Sequence, residues 1–146
     1  TEVPPTEAPP PPIRPPTVVA RPRVLLVEDD DVVRQVTGEM LGDIECRVVA
    51  VSNGADALET YSRDRDGFDV VLLDVAMPEM SGVEVSEALF GLDREARIVL
   101  TSGHTEHLVR EHLPNGGRIR GFLQKPYSIS QLEAAISDAL RTTEAG

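Results

Sequence analysis

The chain has 146 residues, and 14 Lys+Arg against 25 Asp+Glu give 14 − 25 = −11 with histidines neutral. That length and a 40% hydrophobic composition suit one domain with one aliphatic core and exclude a second catalytic domain. The acidic balance argues against binding a nucleic-acid backbone, which rests on clustered Lys and Arg, and points to metal cations or Arg-rich protein surfaces as partners.

Nine of the 12 prolines fall in residues 1–22, where Ala8-Pro9-Pro10-Pro11-Pro12-Ile13-Arg14-Pro15-Pro16 cannot donate the hydrogen bonds of helix or sheet. Residues 1–22 are therefore expected to be a semi-rigid, disordered linker, and residues 23–146 the folded domain. The chain opens on Thr1, which together with the linker predicts a piece of a longer polypeptide.

From Arg23 onward short aliphatic runs alternate with helical stretches. Val24-Leu25-Leu26-Val27 is continuous rather than alternating, as suits a strand buried on both faces. Asp31 is the favoured cap of a first helix carrying Val33, Val36 and Met40. A second strand spans Arg47–Val51, and a second helix after Asn53 carries Ala57, Leu58 and Tyr61. Val70–Leu73 is the third strand, and the third helix opens with the capping box Ser81-x-x-Glu84. Arg97–Leu100 forms the fourth strand, and a fourth helix carries Leu108 and Val109 before a stop at Pro114-Asn115-Gly116-Gly117. The last pair is a strand at Gly121-Phe122-Leu123 and a helix with Ile129, Leu132, Ile136 and Leu140, opened by Ser130-x-x-Glu133. Five strands alternating with five helices predict an α/β, doubly wound, flavodoxin-like parallel sheet. No apolar run reaches the ~20 residues of a membrane span. Cys46 is the only cysteine, which excludes an intrachain disulfide or a cysteine zinc site and fits a reducing cytoplasm.

Ligands of such sheets bind beyond the carboxyl ends of the strands, so the polar residues that follow each run carry the chemistry. Strand one leads to Glu28-Asp29-Asp30-Asp31, strand three to Asp74, strand four to Thr101-Ser102-Gly103 and strand five to Gln124-Lys125-Pro126. Crowded carboxylates need a compensating cation, and hard oxygen donors suit Mg²⁺, so Glu28, Asp29 and Asp74 are the candidate metal cluster. Lys125 is the single lysine among 14 basic residues, a compact ammonium able to reach a phosphoryl oxygen. Ser102 can donate to a second such oxygen. Taken singly, Ser102 and Lys125 read as structural; together with the acids at successive strand ends they read as a site. Asp74 ends a central strand if the order is 2-1-3-4-5, and is the candidate nucleophile toward phosphorus. His104 and His107 are expected to be solvent-exposed rather than catalytic.

The segments Val24-Leu25-Leu26-Val27-Glu28-Asp29-Asp30, Val71 to Gly82, Leu100-Thr101-Ser102-Gly103 and Phe122-Leu123-Gln124-Lys125-Pro126 together resemble the receiver domain of two-component response regulators, over about residues 23–142. The resemblance implies that Asp74 is the phosphoacceptor, that Glu28 and Asp29 are the acidic pair around Mg²⁺, and that the backbone carbonyl of Ala76 is the third protein contact to the metal. It also implies that Ser102 holds the family's hydroxyl position, that Lys125 contacts the phosphate, and that Lys125-Pro126 is a cis peptide. Three positions depart from the commonest pattern: Glu28 replaces an aspartate, Ser102 a threonine, and Phe122 the switch tyrosine.

The proline-rich stretch and the segments around Ser102 and Lys125 look most like receivers at the C-terminal end of hybrid sensor histidine kinases. That likeness implies a histidine kinase as phosphoryl donor, in the same parent chain or another, and a histidine-phosphotransfer protein as acceptor. It further implies a face of helix four, strand five and helix five that switches, a cytoplasmic location, and no nucleic-acid or direct membrane contact. An excised receiver would catalyse only its own phosphorylation and dephosphorylation. The alternatives are a pseudo-receiver serving as a protein-interaction module and a haloacid-dehalogenase-like phosphatase, whose further acids and cap domain this chain lacks.

Overall fold

The computed structural model describes residues 21–64, 67–111 and 118–141. Its strands are β1 (Arg23–Val27), β2 (Arg47–Val51), β3 (Val70–Asp74), β4 (Ile98–Ser102) and β5 (Gly121–Gln124). Its helices are α1 (Asp31–Asp43), α2 (Gly54–Arg63), α3 (Gly82–Leu92), α4 (Glu106–Arg110) and α5 (Ile129–Arg141). The strands form one parallel sheet in the order β2-β1-β3-β4-β5, the order of the flavodoxin-like class expected above.

Successive strand side chains point to opposite faces, and this parity sorts the aliphatic runs into two cores. Leu25, Val27, Val71, Leu73, Ile98 and Leu100 face α2 and α3, packing with Ala57, Tyr61, Val85 and Leu89. Val24, Leu26, Val70, Leu72 and Val99 face α1 and α5, packing with Leu41, Leu132, Ile136 and Leu140. Each fully buried Leu or Val side chain contributes roughly 1.5–3 kcal/mol of apolar transfer free energy, so the three inner strands anchor the domain. Their carboxyl ends are correspondingly rigid, which is what a site built there requires.

Several local expectations need correction. The cap of α1 is Asp30 rather than Asp31: its extended backbone lets Oδ1 accept from Val32 N at 2.9 Å and Val33 N at 3.0 Å. Asp31 is instead the first helical residue, paired with Arg34. The buried face of α1 is Thr37 and Leu41, while Val36 is exposed; the buried Thr37 hydroxyl has a partner in Tyr127 Oη at 3.3 Å. The box at α5 uses Ser128 and Gln131 rather than Ser130 and Glu133. There Ser128 N donates to Gln131 Oε1 at 2.8 Å and Gln131 N donates to Ser128 Oγ at 3.1 Å. Strand β4 starts after Arg97 and continues through Thr101 and Ser102, which pair with Asp74 and Leu123, and with Gln124, so the polar residues belong to the ladder.

The box Ser81/Glu84 forms as expected, with Asn53 capping α2 and Thr105 capping α4. The stop at Pro114 to Gly117 lies outside the described residues, as does the linker segment 1–20. No helix among the described residues is long and apolar enough to cross a membrane.

Candidate functional site

Three strand ends deliver the acids. Glu28 follows β1 with its amide donating to Val51 O at 3.1 Å, Asp29 comes next, and Asp74 is the last residue of β3. One carboxylate oxygen from each of Glu28, Asp29 and Asp74 lies within 4.8 Å of the others. Glu28 and Asp74 are 4% exposed, so this is a buried acidic corner rather than a solvated surface.

Lys125 arrives from the end of β5, its backbone amide donating to Ser102 O at 2.7 Å. The Lys125–Pro126 peptide is cis. Its ammonium donates to Glu28 Oε1 at 3.0 Å and stands 3.4 Å from Asp74 Oδ1. Burial pushes the Glu28 carboxyl up to about 7, with the nearby charge of Asp74 adding to the rise and the Lys125 hydrogen bond opposing it. Burial works against the Lys125 ammonium, but the Glu28 hydrogen bond and the Asp74 charge outweigh it and the net shift is upward. One cation among three carboxylates leaves the corner electron-rich, suited to a further cation with hard oxygen ligands.

Ser102 is 1% exposed at the end of β4, and its Oγ accepts from His104 N at 2.9 Å, leaving the hydroxyl proton free to be donated. It follows Thr101, which pairs with Asp74 across the β3–β4 ladder, and pairs with Gln124, the residue before Lys125. Ala76 donates its amide to Asp74 Oδ1 at 3.2 Å, a backbone contact on that carboxylate. Phe122 pairs with Leu100 across the β4–β5 ladder and packs, half-buried, against the core facing α2 and α3. His104 and His107 are exposed, and His107 Nε2 lies 3.0 Å from Glu111 Oε2.

Gly82 lets the loop after β3 fold back over Asp74. Its amide donates to Val75 O at 2.8 Å, and a Cβ there would stand 2.4 Å from the Asp74 carbonyl oxygen.

Two contributions escape a reading of strand ends. Arg34 reaches back from α1 to the carbonyls of Glu28 and Asp29, and Tyr127 ties the segment after Lys125 to Thr37 of α1. The Asp31-x-x-Arg34 spacing signals a helical ion pair, but nothing local signals the turn of Arg34 toward the loop.

The family description "Response regulator receiver domain" matches residues 24–137. The sensor kinase CckA of Brucella abortus is 33% identical over 117 residues, which are 80% of this chain and 12% of that protein. The Vibrio cholerae chemotaxis protein CheY4 superposes with a TM-score of 0.74 at 27% identity, covering 82% of this chain and 99% of that one. The response regulator TrrA of Thermotoga maritima, solved in complex with Mg²⁺-BeF, superposes with a TM-score of 0.70 at 22% identity, covering 81% and 98%. The chain spans 12 to 22% of the length of the first curated relatives it matches. With the sheet order, the strand-end acids and this match over most of its length, the chain belongs to the response regulator receiver domains of two-component signalling.

Proposed function

We propose that this receiver accepts a phosphoryl group on Asp74 from a phosphohistidine of a histidine kinase. The observation that carries the reading is the convergence of Lys125 Nζ on Glu28 and Asp74, at 3.0 and 3.4 Å, beside the three-carboxylate corner. A carboxylate oxygen of Asp74 forms the new O–P bond while the N–P bond of the donor breaks, and the bonding pair stays on the imidazole nitrogen. The Lys125 ammonium and the Ser102 hydroxyl would hold two of the transferred oxygens, and the Ala76 amide, bonded to Asp74 Oδ1, would orient that carboxylate.

The all-oxygen donor set fits Mg²⁺. Asp29 and Asp74 would hold it directly, Glu28 through water, and the Ala76 carbonyl would complete the protein contacts. When bound, it supplies positive charge for the phosphoryl oxygens. TrrA, a structural neighbour carrying Mg²⁺-BeF, supports that cofactor for this corner.

A shift of the segment after β4 toward the phosphorylated Asp74 would pass through Ser102 to Phe122 and change the face made by α4, β5 and α5. Phe122 brings packing to that shift but no phenolic hydrogen bond. The similarity to a sensor kinase supports a parent chain of the hybrid type, with residues 1–22 as its linker, a histidine-phosphotransfer protein as the next carrier, and a cytoplasmic location. The domain itself would catalyse only its own phosphorylation and dephosphorylation.

The test is intact mass after incubation with acetyl phosphate and Mg²⁺. The wild type gains one phosphoryl group and Asp74→Asn gains none. Equal gain in both moves the acceptor elsewhere, and no gain in a folded wild type favours a pseudo-receiver.

A further inference from the structure

Arg34 sits one turn into α1, yet its guanidinium turns back under the β1–α1 loop. Nη1 donates to the carbonyl of Glu28 at 3.0 Å and lies 3.4 Å from that of Asp29, while Nη2 donates to Asp31 Oδ1 at 2.5 Å. The side chain is 23% exposed, whereas that of Asp31 is 87% exposed. An ion pair to so exposed a carboxylate is worth little by itself, so the carbonyl bonds are the informative ones. They fall on the two residues whose carboxylates enter the acidic corner.

These residues stand between the last residue of β1 and the cap of α1, with the Glu28 amide still bonded to Val51 O of β2 and the helix not yet begun. Nη1 meets both consecutive carbonyls and Nη2 is anchored on Asp31, so one planar, rigid guanidinium ties the peptide planes from which both acidic side chains depart to the first turn of α1. The loop carries a high local density of negative charge at Glu28, Asp29, Asp30 and Asp31. Their mutual repulsion works against a compact loop, and the Arg34 contacts add to the ties that Glu28 already has to Val51 O and Lys125.

We propose that Arg34 is a positioning residue for the cation corner, holding Glu28 and Asp29 where their carboxylates stand beside Asp74. The inference rests on reading that corner as a divalent-cation site. Charge and position act in opposite senses here. Removing a cation near an acidic corner should by Coulomb's law tighten the binding of another cation, whereas releasing the loop should weaken it.

The experiment measures Mn²⁺ affinity by electron paramagnetic resonance of the free ion for the wild type, Arg34→Gln and Arg34→Lys, with circular dichroism as the check on folding. Lysine keeps the charge and a single nitrogen, but not the planar group that bonds the Glu28 carbonyl and Asp31 Oδ1 together. Both variants are expected to bind Mn²⁺ about tenfold more weakly than the wild type, the size usual for losing a group that orients a ligand. Equal or tighter binding by Arg34→Gln overturns the proposal, and so does wild-type affinity in Arg34→Lys. Should Arg34→Gln fail to fold, Arg34→Lys decides alone. A wild type that binds no Mn²⁺ overturns the cation reading, and the positioning role with it; wild-type binding with unaffected variants overturns the positioning role only.

Discussion

Lys125 Nζ donates to Glu28 Oε1 at 3.0 Å across 97 positions of sequence, so the last strand of the sheet is pinned to the first through the mouth of the site. In a parallel sheet of order β2-β1-β3-β4-β5, β3 and β4 lie between these partners. Only a long side chain can span them, and its ammonium then faces both Glu28 and Asp74.

Lys125→Gln separates two roles of that ammonium. Loss of a positive charge from a buried acidic corner should strengthen divalent-cation binding, while loss of a contact to the transferred group should slow phosphorylation by about a hundredfold. Mn²⁺ titration and the initial rate of labelling by acetyl phosphate read the two effects on one sample. A variant that labels as fast as the wild type removes Lys125 from the chemistry.

Gly82→Ala should damage both stability and site. The added Cβ would meet backbone, 2.4 Å from Asp74 O and 2.7 Å from Val75 Cα, so the loop after β3 must move. Overpacking of this kind costs about 2 kcal/mol, measurable as a lower urea midpoint with unchanged slope. The phosphorylation rate should fall as well, because the displaced backbone carries Asp74.

Glu45→Gly should stabilise the domain without touching function. Glu45 follows α1 with φ 64°, a left-handed conformation costing a residue with a Cβ about 1–2 kcal/mol. Part of the gain is offset by the extra freedom of glycine in the unfolded chain, leaving roughly 0.5–1 kcal/mol. The change also removes a negative charge from a helix C-terminus, which acts in the same direction. Denaturant midpoints of the two proteins provide the check.

Alkaline stability reports on Cys46. Burial, reinforced by the charges of Glu133 and Asp69, pushes its thiol up to about 11 from 9.0. The folded state therefore keeps a proton that the unfolded state has lost, and stability falls as pH rises from about 9 to about 11. Tyr127 and Lys125, both raised, act in the same sense. The Cys46 share is on the order of 2 kcal/mol, and Cys46→Ala should flatten the decline over that window. An unchanged slope would show that Cys46 does not contribute.

The fold was legible because every inner strand is a continuous aliphatic run and α2, α3 and α5 have apolar spacing, as Val70–Asp74 and α5 illustrate, whereas α4 offered only Leu108 and Val109. Strand ends were less so. Thr101 and Ser102 look like loop residues in sequence but belong to β4, since ladder pairing depends on neighbouring strands and not on hydrophobicity. The caps of α1 and α5 each lay within two residues of an equally suitable one; the extended backbone of Asp30 and the reciprocal bonds of Ser128 with Gln131 mark the residues used. Among the site residues, Glu28, Asp29, Asp74 and Lys125 were readable as strand-end polar groups. Arg34, Thr37 and Tyr127 were not, because their contacts cross from helix to loop and leave no periodic trace.

The central claim is that the carboxylate of Asp74 receives the phosphoryl group. Borohydride reduces an aspartyl phosphate to homoserine and leaves a free carboxylate untouched, so reduction, digestion and peptide mass spectrometry locate the modified residue. After phosphorylation with acetyl phosphate and Mg²⁺, homoserine should appear at position 74, and only there. Homoserine at position 28, 29 or 30 with an unmodified Asp74 would contradict the account.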